Sequence, residues 1–224
     1  MKKWHKYEIV GSEIGKVGHK FTYDFGGKKE VIRFVDVRGG WAWPTDQSPF
    51  YCVILGQIWF DEKLYYDKSA ALDVLFEGTD NGLDLDRRFN ELADISALYR
   101  CDWYADTGQI HEPAASSWWD FQSFKSMRYG DLDTAPWADN FRLGIELCKT
   151  FVRTHKLDVP KETEVFHQLQ RITEKDLASA SVKSQFYAIE ALRHVVAGFK
   201  RDPADNPHID AKGHLSGGRE GWMI

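Results

Sequence analysis

The order of two hydrophobic patterns constrains this chain more than any single residue does. Between residues 30 and 72, three runs are rich in β-branched and aromatic residues: EVIRFVDV, FYCVILGQIWF (50–60) and KLYYDKSAAL (63–72). Gly, Pro and Asp separate them, which predicts an antiparallel three-strand meander. The period then changes. LDLDRRFNELADISALY (83–99) places apolar residues at 85, 89, 92, 95 and 98, with Asp84 and Asp86 in the first turn, a spacing that predicts a helix. CDWYAD (101–106) follows as a short buried strand. A helix crossing from a meander to a further strand implies an α/β sheet.

The second half is mainly helical. ADNFRLGIELCKTFVRTHK sets residues 141, 144, 145, 148, 151 and 152 on one face, with Asp139 as N-cap, and 161–172 and 182–199 complete the helices. Residues 1–29 mix Gly, Lys and aromatics and read as an N-terminal arm with one or two short strands. Residues 201–224 read as a polar, flexible C-terminal tail. This leaves 30–200 as one domain, within the range that a 224-residue chain with 43% hydrophobic residues can bury around a core.

Composition narrows the function classes. No run reaches the roughly 18 apolar residues of a membrane span, and the N-terminal lysines precede no apolar segment; a cytoplasmic protein with no membrane partner is expected. Cys52, Cys101 and Cys148 are odd in number and widely spaced, so they predict core positions rather than disulfides or a metal knuckle. A net charge of −5 disfavours a broad basic surface but permits a local one. GSEIGKVG lacks the length and the hydroxyl residue of a phosphate loop, and no GxSxG or GxGxxG occurs.

Two aspartates carry the chemical reading. The run EVIRFVDV closes on Asp36, followed by Gly39 and Gly40, and CDWYAD closes on Asp106. If the two strands are neighbours, both carboxylates emerge at one edge of the sheet. Like charges that close need a proton or a cation between them. Two hard ions, Mg²⁺ or Mn²⁺, suit carboxylate oxygens and phosphodiester hydrolysis. The other reading of each aspartate is a residue that starts a turn. Asp46, in the loop after WAWPT, is a weaker candidate of the same kind.

This order of elements, with acids after the first and fourth strands, resembles the ribonuclease H-like nuclease domain of the large terminase subunit of tailed phages. The carriers are RFVDVRGG, FYCVILGQIWF, CDWYAD, the helix and exit NFRLGIELCKTFVRTHKLDVP, and FYAIEALRHVV. The resemblance implies a mixed sheet, an antiparallel meander plus parallel strands, flanked by helices. It implies a metal-dependent DNA endonuclease acting in genome packaging, with Asp36 and Asp106 as ligands of two divalent ions. It also implies a third acid near the last helix. Phe186 and Tyr187 stand where the family has a pair of aspartates, and Glu190 takes the place of the Asp in its Asp-Ala-Leu unit. Catalytic and metal-binding roles are therefore expected of Asp36, Asp106 and Glu190, and phosphate contacts of Arg38, Lys125, Arg128 and Lys183. Partners implied are double-stranded DNA, a terminase ATPase domain, the small terminase subunit and the portal protein, in a phage-infected or lysogenic bacterial cell. The alternative is a non-catalytic DNA- or portal-binding domain of the same fold with an incomplete metal site. There Glu190 is only an exposed helix charge paired with Arg193 or His194.

Overall fold

The computed structural model describes residues 1–15, 18–44, 48–58, 72–81, 85–105, 133–134, 141–179 and 182–201. Its centre is a sheet of nine strands among these residues. In chain order the strands are β1 (Lys2–His5), β2 (Ile9–Gly15), β3 (Gly18–Phe25), β4 (Lys28–Ala42), β5 (Phe50–Ile58), β6 (Leu72–Asp80), β7 (Asp102–Ala105), β8 (Asp133–Thr134) and β9 (Leu157–Asp158). The helices are α1 (Leu85–Tyr99), α2 (Phe141–Arg153), α3 (Glu164–Arg171), α4 (Glu174–Leu177), α5 (Val182–Gln185) and α6 (Tyr187–Arg201).

The antiparallel path runs β1-β6-β5-β4-β3-β2, with β7 parallel to β4 and β9 parallel to β6. The meander expected from residue 30 is β4-β5-β6, but its third strand is 72–80. The expected 63–72 lies, apart from Leu72, outside the described residues. The segment expected to be an arm contributes β1, β2 and β3 to the same sheet: β1 pairs with β6, and β3 with the first half of β4. The long crossover through α1 returns the chain parallel to β4. Arg100 makes that return tight by adopting a left-handed φ of 54° directly after the helix.

Alternation along β4 divides two cores. Phe34, Val37, Trp41 and Trp43 pack with Phe21, Trp103, Leu92, Ile95 and Tyr99 under α1. Ala42 joins Tyr51, Val53, Leu55 and Val74 against Leu147, Phe151, Ala188, Ala191, Leu192 and Val195 of α2 and α6. Each fully buried aromatic or aliphatic side chain here contributes roughly 2–3 kcal/mol from burial. All three cysteines lie in these cores as free thiols. The Gly-Gly pair serves both faces at once. A Cβ on Gly39 would lie 2.3 Å from the Trp103 ring, and one on Gly40 would lie 2.4 Å from the Ala191 carbonyl oxygen. Only glycine lets the indole approach from one side and the backbone of α6 from the other.

Candidate functional site

Strand β4 does not stop at Asp36; it continues to Ala42. Asp36 sits at an irregularity in the β4-β5 register, between Phe34 and Asp36. Its oxygens accept from the Val37 N–H (2.8 Å) and from Arg38 Nε (2.5 Å), and His19 Nε2 is 3.7 Å away. Arg38 is 4% exposed and donates through Nη1 to the Tyr104 hydroxyl (2.6 Å) and the Gly198 carbonyl (2.9 Å), between the Tyr104 and Phe199 rings. It is an internal staple of β4, β7 and α6. The expectation that it contacts phosphates is corrected: the guanidinium is committed inside the protein.

The parallel register carries the described end of β7 away from Asp36. Arg38 pairs with Asp102, Gly39 with Trp103 and Gly40 with Tyr104. Strand β7 therefore advances away from Asp36, and Ala105 lies about 16 Å further along than Asp36 at roughly 3.3 Å per residue. Asp106 is outside the described residues. Asp36 thus stands well short of the described end of β7. The residue of β4 at the far end is Ala42.

Helix α6 runs antiparallel to β4. Gly198 reaches Arg38, Ala191 and Val195 lie over Gly40, and His194 Nδ1 is 3.1 Å from the Trp41 carbonyl. At its start, the Tyr187 ring stands 5.6 Å from that of Tyr51, the β5 partner of Ala42. Glu190, one turn before His194, thus belongs to the Ala42 end. It is 5% exposed, which corrects the reading that it is a surface charge opposite the apolar side. The helix is covered by the sheet on one side and by α2 and α3 on the others, so Arg193 and His194 are buried with it. A helix buried all round has to balance its charges internally.

The balance is a bidentate pair. Arg193 donates from Nε to Glu190 Oε2 (2.6 Å) and from Nη2 to Oε1 (2.5 Å), while His194 Nε2 is 3.4 Å from Oε1. Burial alone would raise the Glu190 carboxyl; His194 and the guanidinium more than offset it and hold it at about 2. Arg193 also lies over the Phe141 ring, with centroid distance 5.4 Å. The two residues at which the resemblance implied aspartates are packing residues: Phe186 joins Phe141, Ile145 and Ile189, and Tyr187 faces Tyr51 and, at 3.5 Å, Glu164.

Tested as ligands, the described residues do not fit a divalent pair as arranged here. Among them no three His, Cys, Asp or Glu residues gather. Both Glu190 oxygens are engaged by Arg193, and both Asp36 oxygens by Val37 and Arg38. Asp46, Asp106, Lys125 and Arg128 lie outside the described residues, as does the side chain of Lys183, whose backbone is in α5. Sequence reasoning named Arg193 only as a surface partner of Glu190, and missed Ala42 as the end of β4. The Glu-x-x-Arg spacing inside an otherwise apolar helix was the available signal for the first.

No family model and no curated protein matches the chain. Solved structures do. The large terminase nuclease from thermophilic phage G20c aligns with a TM-score of 0.51 at 12% identity, over 84% of this chain and 92% of that one. The large terminase nuclease domain from bacteriophage SPP1, solved with bound Mn, aligns at 0.45 and 16% identity, over 76% and 88%. No helix of the described residues is long and apolar enough to cross a membrane. With β7 parallel to β4 and α6 laid across the pair, the chain has the ribonuclease H-like fold of the G20c large terminase nuclease.

Proposed function

We propose that the chain is the DNA-cleaving domain of a phage or prophage large terminase, an endonuclease that hydrolyses phosphodiesters of double-stranded DNA during genome packaging. One observation carries this reading: α6 presents a buried Glu190 where β4 and β7 reach their C-terminal ends together, in a fold shared with a terminase nuclease. Asp106, which follows β7 directly in the chain, is the proposed companion acid, and Asp36 is replaced in that role. A requirement for Mg²⁺ or Mn²⁺ belongs to the proposal. The ATPase domain, small subunit and portal protein are its proposed partners, and the bacterial cytoplasm its proposed location.

A second reading is favoured by the Arg193 pairing and by Ala42: a domain of this fold that holds DNA or the portal without cutting. Supercoiled-plasmid nicking in Mg²⁺ or Mn²⁺ separates the two. The nuclease reading expects nicking by the wild type that EDTA stops and that Asp106→Asn reduces by about 100-fold or more. DNA binding with no nicking at any ion concentration supports the second reading instead.

A further inference from the structure

The nuclease reading and the geometry of Glu190 disagree, and the disagreement is specific. The carboxylate is present at the right end of the sheet, yet a guanidinium already occupies it in the bidentate geometry that an ion would need to replace. The site is built around that guanidinium. Gly144 of α2 leaves room for it, since a Cβ there would lie 2.9 Å from Arg193 Cδ. Phe141 lies under its charged plane, and Glu190 and Arg193 are three residues apart on a helix, the spacing at which side chains meet.

We propose that Arg193 is an internal counter-cation that competes with a divalent ion for Glu190 and so sets how weakly this end of the sheet takes a metal. The inference rests on the nuclease reading for the identity of the site. In the resting domain the Glu190 charge is neutralised without any ion. A divalent ion would reach this carboxylate only in competition with that guanidinium.

The test is Mn²⁺ binding followed by electron paramagnetic resonance on the full chain, with nicking assayed separately. Arg193→Gln is expected to bind Mn²⁺ about tenfold or more tightly than the wild type, and the gain is expected to vanish when Glu190→Gln is added. Arg193→Lys keeps the buried charge but not the planar fork, so it supports folding if Arg193→Gln does not fold; it is expected to give a smaller gain of the same sign. Unchanged Mn²⁺ affinity in a folded Arg193 variant overturns the proposal, as does a gain that persists without Glu190. Tighter Mn²⁺ binding with no nicking upholds the counter-cation and contradicts the nuclease reading, so the two fail separately.

Discussion

Asp36 and Glu190 look alike in the sequence, an acid with an arginine two or three residues on, but they belong to different regions of the molecule. The Asp36 side chain is 23% exposed at mid-strand, and its partner Arg38 is also held by Tyr104 and Gly198. The Glu190 side chain is 7% exposed on a helix enclosed on all sides, and its two oxygens face one guanidinium. In the first region the carboxylate is one contact of several. In the second it balances a buried charge. The end of β4 nearest the candidate site is therefore where charge is most constrained, and the middle of β4 is where it is only structural.

Substitutions can break this contrast. Glu190→Ala is expected to have the largest effect on stability, about 3–5 kcal/mol in urea unfolding, because it deprives a buried guanidinium of its bidentate partner. Gly40→Ala follows, at about 1–3 kcal/mol, since the new methyl group meets the Ala191 carbonyl at 2.4 Å and α6 must shift; a Tm unchanged from wild type would mean that α6 does not lie against β4 there.

A third acid sharpens the comparison through pH. Asp73, paired in register with Asp158 of β9, is buried beside Lys6, whose Nζ is 2.6 and 2.7 Å from its oxygens and 3.2 Å from Asp158. Burial raises the Asp73 carboxyl to about 6 although Lys6 opposes it, with Asp158 and Tyr7 the other titratable neighbours. Because its folded value exceeds the unfolded one, its contribution to stability is complete below about pH 4 and is lost as the pH rises through about 6. Glu190, depressed to about 2, has the opposite sign: its contribution is present above about pH 4.5 and lost as the pH falls through about 2. Asp73→Asn is expected to flatten the pH 4–6 part of the stability curve by about 1–2 kcal/mol, measured by urea midpoints across that range. An unaltered curve would contradict the burial argument. The smallest effect is expected from Asp36→Ala, about 1 kcal/mol. If it destabilises as much as Glu190→Ala, the two regions are not distinct.

The sequence made the architecture readable because period and turn chemistry changed where the elements change. The first two meander strands, the α1 crossover, the strand CDWYA and the helices α1, α2, α3 and α6 follow from spacing; the third meander strand is 72–80 rather than the expected 63–72, and spacing does not mark α4. The exit KLDVP, one carrier of the resemblance, contributes β9. Three things were not readable, each for a physical reason. The arm joined the sheet because β3 pairs with the first half of an unusually long β4, and pairing partners leave no mark on local pattern. The end of β4 was misplaced because Gly39 and Gly40, which read as a turn, are close-packing positions inside a strand. Glu190 looked exposed because a helical wheel separates polar from apolar residues but does not know that a second layer covers the polar side. Of the Glu190–Arg193 pair, the pairing was legible and its burial was not.

The most direct measurement compares plasmid nicking by Asp36→Asn and Glu190→Gln with the wild type in Mn²⁺, each variant first shown to be folded by circular dichroism. The account predicts that Asp36→Asn stays within about twofold of wild type while Glu190→Gln loses about 100-fold or more. Nicking abolished in folded Asp36→Asn and retained in Glu190→Gln would contradict it.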